Sequence, residues 1–166
     1  MNYALHRTKA DSSKGARAPK PAGRTPARRT MLLTAVGAIG VAVLLLATVI
    51  PVLQVEANAA IPDAFSRNGW ELHGPLLPLL ALAGVAALLG CRRGRRGAMA
   101  ALAGCGLLAL LLVLLTDVQE IGSSGLLPGS FAEGFVVAGP GAYLEVLGAV
   151  LMLLAGGLLS LFALDE

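Results

Sequence analysis

Apolar residues along the chain gather into four long runs that contain almost no charge. A run of about 20 apolar residues crosses the ~30 Å hydrocarbon core of a bilayer as a helix. The pattern predicts an all-α fold, an integral membrane bundle of four antiparallel transmembrane helices. The predicted spans lie at about residues 31–50, 75–91, 98–116 and 142–164.

The residues before the first run have a different composition. Residues 1–30 hold eight of the thirteen Lys and Arg against one acid, Asp11, and they lack apolar periodicity. Such a segment buries too little surface to offset its ordering entropy. We therefore expect a disordered basic tail over residues 1–30 and a four-helix transmembrane domain over residues 31–166.

Two acidic segments separate the spans on one side. Residues 54–74 carry three acids and one Arg, and residues 117–141 carry three acids and no basic residue. Trp70, the single Trp, stands just before the second span, where an amphipathic ring anchors a chain at the membrane interface. The second segment is apolar for a loop, so part of it is expected at the interface or docked on the bundle.

Basic residues predict the orientation. Apart from Arg67, every Lys and Arg falls on one side if the spans alternate, and the positive-inside rule makes that side cytoplasmic. We therefore expect a multi-pass protein of the cell membrane with both termini in the cytoplasm. The short loop between the second and third spans carries a topogenic signal or binds anionic lipid headgroups through Arg92, Arg93, Arg95 and Arg96.

A second interpretation concerns the first span. Arg28 and Arg29 precede it as in a twin-arginine export signal, and the small residues 57–59 resemble a cleavage site. The apolar run is longer than the ~7–15 residues of a signal peptide, which favours an uncleaved span. Cleavage after Ala59 stays an alternative, and it would leave the later topology unchanged.

Glu145 is the first candidate for a functional group, because an ionisable side chain inside a span is costly. With a helix start near Gly141 it lies ~6 Å from the N-terminal end, where the helix dipole favours an anion. One interpretation is an interfacial Glu that ties a loop to the helix. The other interpretation is a proton or cation site. Asp117 and Glu120, which end the third span on the same side, would then approach Glu145 and contribute their carboxylates.

The helical period places Glu145 on the small-residue side of the fourth span. At about 100° per residue, Gly148, Ala149 and Gly156 share its face, and bulky leucines point the other way. Small residues let helices approach closely in membranes, so Glu145 is expected to face protein rather than lipid.

Other reactive residue types carry no recognisable pattern. His73 is a lone histidine in an outer loop, expected to be solvated or to cap a helix rather than to act as a ligand. Cys91 and Cys105 are expected to be small packing residues. The sequence contains no catalytic constellation, metal motif or phosphate-binding loop, so we expect no cofactor and no enzymatic activity.

Two stretches carry a resemblance, "GWELHGPLLPLLALAGVAALL" before the Arg-rich loop and "AGPGAYLEVLGAVLMLLAGGLL" in the fourth span. With the loop between them, residues 68–164 resemble small four-span membrane proteins of high-GC actinobacteria. The chain is also similar to the Trp-associated membrane proteins of such bacteria. It differs from their pattern in having a single Trp. The resemblance implies a four-span topology and brings no activity or site residues.

For function, the sequence favours a non-enzymatic integral membrane protein with a structural, accessory or interaction role. Its expected partners are the lipid bilayer and another membrane protein, or a second copy bound through small-residue faces; we expect no nucleic acid. The alternative is a component of a small transporter or channel in which Glu145 binds a proton or a cation.

Overall fold

The computed structural model describes residues 25–57, 66–126 and 133–164, and this part of the chain is mostly helical. This part of the chain forms five helices and four short strands. In chain order they are α1 Thr25–Ala47, β1 Pro51–Ala57, β2 Arg67–Asn68, α2 Gly69–His73, α3 Leu76–Arg92, α4 Arg96–Glu120, β3 Ser124–Leu126, β4 Glu133–Ala138 and α5 Pro140–Phe162.

Among the described helices, three are long and apolar enough to cross a membrane: Arg28–Ala47 within α1, together with α4 and α5. The apolar helix α3, with 17 residues, is shorter. The last six residues of the predicted tail, 25–30, belong to α1, while the rest of the tail lies outside the described residues. Of the predicted cleavage site, only Ala57 is described, at the end of β1.

The four long helices pack around one apolar core. Helix α5 packs on both α1 and α4, and α3 packs on the same two helices. Cys91 is buried in this core and Cys105 is partly buried beside it, and both are free thiols. The largest fully buried apolar side chains of the helices are Leu44, Leu77, Leu102, Met152 and Val113.

Glycines allow α1 and α5 to touch backbone to backbone. A Cβ placed on Gly40 would lie 2.9 Å from the carbonyl oxygen of Gly148. Three residues earlier in α1, a Cβ on Gly37 would lie 3.3 Å from Ala155, which is seven residues later in α5. The contacts thus advance in opposite directions along the two helices, and small residues form the seam, as is typical of membrane helices.

A small antiparallel sheet lies beyond one end of the helices, in the order β2-β1-β4-β3. Strand β1 follows α1 and pairs with β4, from Leu53 opposite Ala138 to Ala57 opposite Gly134. The predicted all-α fold is wrong in this respect, because both predicted outer loops contribute strands. Their partners are about eighty residues apart, a separation at which no local pattern specifies pairing.

The sheet fixes where α5 begins. The amide of Gly139 donates to the carbonyl oxygen of Val52 at 2.7 Å, and Val52 and Leu53 are buried against Ala142 in the first turn of α5. Pro140 occupies the first helical turn, where its missing N–H removes no helical hydrogen bond. The start of α5, and with it the height of Glu145, is therefore set by β1.

Candidate functional site

The short helix α2 carries the first side chain of the site. It starts with a capping box: the Asn68 side chain accepts from the Glu71 amide at 2.9 Å, and the Glu71 carboxylate accepts from the Asn68 amide at 3.3 Å. These bonds satisfy amides that a helix start leaves without partners. The motif Asn-Gly-Trp-Glu is therefore the local reason for a helical turn just before α3.

Helix α2 turns one face inward, and that face consists of Gly69 and His73, four residues apart. The Trp70 amide donates to the carbonyl oxygen of Thr48 at 3.0 Å, which fastens α2 to the end of α1. A Cβ on Gly69 would lie 2.5 Å from Glu145 Oε1 and 3.1 Å from the Ala47 carbonyl oxygen. Glycine is needed there because the backbone of α2 lies directly against the Glu145 carboxylate.

His73, Asp117 and Glu145 meet at this point, from α2, α4 and α5. The imidazole Nε2 of His73 lies 3.1 Å from Asp117 Oδ1 and 3.3 Å from Glu145 Oε2. One ligand atom from each residue lies within 4.8 Å of the other two. We call these three residues the His–Asp–Glu cluster.

The His–Asp–Glu cluster is closed off from the exterior. Asp117 is 1% exposed and Glu145 is 0% exposed, and His73 is 6% exposed. Asp117 Oδ2 and Glu145 Oε1 are both buried without a hydrogen-bond partner among the described residues. Buried polar atoms nearly always have a partner, so these two oxygens are unusual among the described residues.

Thr116 orients the other side of the imidazole. Its Oγ1 lies 2.7 Å from the Leu112 carbonyl oxygen and 2.8 Å from Asp117 Oδ1, two acceptors that share its single proton. The same Oγ1 lies 3.4 Å from His73 Nδ1, and its lone pairs can accept a hydrogen bond from Nδ1–H. Nε2 is thereby directed at the two carboxylates.

The electrostatics of His73 reflect two opposing effects. Burial favours the neutral imidazole, but hydrogen bonds and negative charge from Asp117 and Glu145 outweigh it and raise the pKa of His73 from 6.5 to about 9. A protonated His73 neutralises one of two carboxylates. The second needs another positive charge, which a proton or a bound cation supplies.

The structure brings together two of the three predicted carboxylates. Glu145 faces protein, as expected from the helical period, and Asp117 lies beside it through His73. Glu120 is exposed and stays outside the cluster. On α5, the exposed leucines are Leu147, Leu154, Leu158 and Leu161, opposite the buried small residues of the Glu145 face.

The expectation for His73 is wrong, since the side chain is buried and bound to two carboxylates. Sequence reasoning missed it because its partners are 44 residues (Asp117) and 72 residues (Glu145) away along the chain. The sequence does contain one signal for this burial. The capping box predicts a short helix, and in a helix Gly69 and His73, four residues apart, lie on the same face.

The remaining predicted residues lie on the surface. Trp70 is 56% exposed, which leaves its ring available for a membrane interface. Four arginines lie where α3 ends and α4 begins, and all of them are exposed and outside the cluster. They are Arg92, Arg93, Arg95 and Arg96, and we call residues 92–96 the Arg loop.

The chemistry available to the His–Asp–Glu cluster is the binding of positive charge. Two carboxylates and an imidazole can bind and release protons, or they can ligate a metal ion. In the described part of the chain, the hydroxyl that contacts the cluster is that of Thr116, and it also lies 2.7 Å from the Leu112 carbonyl oxygen. Comparisons with protein families and with curated proteins find no match to this chain.

Proposed function

We propose that this chain is a multi-pass integral membrane protein whose spans are α1, α3, α4 and α5 in antiparallel order. Three of these helices are long and apolar enough to cross a bilayer. Helix α3, at 17 residues, stands at the short end of the range of about 17–25 residues for a span. Its arginines at the Arg loop extend it by reaching toward the headgroups.

The proposed orientation places the Arg loop in the cytoplasm and the sheet outside. A Cβ on Gly37 of α1 would lie 3.1 Å from Leu88 and from Leu102, so the basic start of α1 lies toward the Arg loop. The buried cluster and the sheet lie toward the other end. The positive-inside rule assigns the basic end to the cytoplasm.

Cysteine labelling in cells tests this orientation. With Cys91 and Cys105 replaced by Ser, a membrane-impermeant thiol reagent is expected to label a cysteine at Ser123. A cysteine at Gly94 in the Arg loop is expected to react only after permeabilisation. The reverse pattern would overturn the orientation.

For activity, we propose that the His–Asp–Glu cluster binds a small cation, a proton or a metal ion, as part of a small membrane transporter. One observation carries this proposal: two fully buried carboxylates, each with an unpartnered oxygen, surround a single imidazole nitrogen. Ionisable groups at membrane depth are costly and usually mark the path of an ion.

The second candidate is an accessory protein in which the cluster is structural. It is favoured by the full burial of Asp117 and Glu145 and by the way the three groups join α2, α4 and α5. Such a protein would bind lipid and another membrane protein, or a second copy through the small residues of α4. There Ala100 is exposed, and a Cβ on Gly104 would meet nothing within 4 Å.

Flux measurements on reconstituted protein separate the two candidates. Proteoliposomes with wild-type protein are expected to carry a proton or cation flux that Glu145→Gln abolishes. Glu120→Gln, which changes an exposed carboxylate near the same end, is the matched control and is expected to keep the flux. Absence of flux in the wild type, with one stoichiometric membrane partner recovered by crosslinking, would replace the transport proposal by the accessory one.

A further inference from the structure

We propose that the His–Asp–Glu cluster is a three-ligand site for a divalent transition-metal ion of the Zn²⁺ type. The ligands are Nε2 of His73 and one carboxylate oxygen each from Asp117 and Glu145. This inference rests on the proposed function, because it names the cation that the same site takes.

The spacing of the three groups suits a tetrahedral ion. Zn²⁺ binds nitrogen and oxygen ligands at about 2.0–2.2 Å, which sets neighbouring ligand atoms about 3.4 Å apart in a tetrahedron. The distances from His73 Nε2 to Asp117 Oδ1 and Glu145 Oε2 are 3.1 Å and 3.3 Å. One ligand atom from each of the three residues lies within 4.8 Å of the other two, so all three can reach one ion once the carboxylates turn toward it.

The unpartnered oxygens are a second, independent observation. Asp117 Oδ2 and Glu145 Oε1 are buried without a hydrogen-bond partner in the described part of the chain. A carboxylate oxygen without any partner carries the full cost of its lost hydration. A metal ion held between the carboxylates would remove this cost, either by direct ligation or through a bound water at its fourth position.

Charge and ligand type narrow the class of ion. Two carboxylates balance a divalent cation, while the imidazole stays neutral, so the loaded site carries no net charge in a low-dielectric region. Mg²⁺ and Ca²⁺ prefer six or more oxygen ligands, whereas imidazole suits Zn²⁺ and its first-row neighbours. A set of one nitrogen and two oxygens with an open position thus favours the transition metals.

Thr116 supplies the outer contact that a metal-binding histidine requires. In metal sites the second imidazole nitrogen donates its N–H to a protein group, which fixes the tautomer and the ring. Here Nδ1 of His73 lies 3.4 Å from Thr116 Oγ1, and that oxygen is anchored 2.7 Å from the Leu112 carbonyl oxygen. Thr116 is therefore a positioning residue: it holds the Nδ1–H side of the ring, so that Nε2 faces the ion and can give up its proton when the ion binds.

Calorimetric titration of the full-length protein with Zn²⁺ in detergent, after removal of metal with a chelator, tests the site. The expected stoichiometry is one Zn²⁺ per chain. Asp117→Asn and His73→Gln are expected to weaken binding by at least about 100-fold, and Thr116→Val by about 10- to 100-fold. Glu120→Gln is the control and is expected to bind like the wild type, and a large excess of Mg²⁺ is not expected to displace Zn²⁺.

A spectroscopic measurement on the unchanged wild type guards against variants that fail to fold. Co²⁺ in place of Zn²⁺ is expected to give the strong visible absorption of a four-coordinate nitrogen and oxygen site, at one equivalent, and to be displaced by Zn²⁺. An octahedral Co²⁺ spectrum, or Zn²⁺ binding unchanged in folded Asp117→Asn, would overturn the inference.

The outcome for the metal can be separated from the outcome for the proposed function. If no Zn²⁺ binds but Glu145→Gln still abolishes proton flux, the metal inference fails and the cluster remains a proton site. If Zn²⁺ binds in a Glu145-dependent way without any flux, the metal site stands and the transport proposal fails.

Discussion

The two ends of the helical bundle both carry charged side chains, and they hold them in opposite ways. The Arg loop exposes four arginines, each of which keeps its own hydration. At the other end, the His–Asp–Glu cluster buries its charges almost completely, so each group depends on the other two. An exposed charge contributes little to stability, whereas a buried charge is costly unless a group of opposite charge lies beside it.

The largest difference between the two ends is expected on removing the central group of the cluster. His73→Leu leaves two buried carboxylates facing each other without a positive charge, and breaking a buried ion pair costs about 3–5 kcal/mol. The free energy of unfolding, measured by denaturant titration of the detergent-solubilised protein, is expected to fall by this amount. Glu120→Leu, at an exposed site, is the control, expected to change it by less than about 0.5 kcal/mol. Equal effects would contradict a buried cluster that depends on His73.

The pH dependence of stability is the next effect in size. The pKa of His73 is about 9 in the folded protein and 6.5 without its partners, so its stabilisation is complete below pH 6.5. It is lost as the pH rises from 6.5 through about 9, and at 1.36 kcal/mol per pKa unit the loss is about 3.4 kcal/mol. The loss is measured as the change in the unfolding midpoint of the metal-free protein between pH 6 and pH 10. His73→Gln is expected to flatten this slope, and a wild-type stability that rises over this range would reverse the sign.

A smaller effect tests the contact between α2 and the cluster. Gly69→Ala places a methyl group 2.5 Å from Glu145 Oε1 and is expected to cost about 1–3 kcal/mol of unfolding free energy. Gly97→Ala in α4 meets nothing within 4 Å and is expected to be neutral or to stabilise by up to about 1 kcal/mol. The same unfolding titration compares them. If Gly69→Ala were as mild as Gly97→Ala, the close approach of α2 to Glu145 would be wrong.

The smallest effect is expected at the Arg loop. The double change Arg93→Ala and Arg95→Ala removes two exposed charges, each worth less than about 0.5 kcal/mol to folding. Unfolding titrations are expected to show almost no difference from wild type at any pH between 6 and 10. A loss comparable to that of His73→Leu would show that the Arg loop is bound to the folded protein, and the contrast between the two ends would disappear.

The sequence predicts the helical part of the fold well because each of the long helices coincides with a continuous apolar run. It also predicts that Glu145 faces protein, since the 3.6-residue period places it with small residues. It does not predict the sheet, because β1 and β4 acquire their partners only when two distant loops meet. Nor does it predict the role of His73, whose burial depends on the end of α1, on α4 and on α5 at once.

The pairing of β1 with β4 has a mechanical consequence. Helix α1 runs into β1, and β4 runs into α5, so one backbone seam joins these four segments from Gly37 to Ala57. Bending this unit would therefore break glycine contacts and ladder hydrogen bonds together. Glu145 lies in the second turn of α5 and so belongs to this unit, whereas His73 lies on α2, which is fastened to the end of α1 through the Trp70 amide.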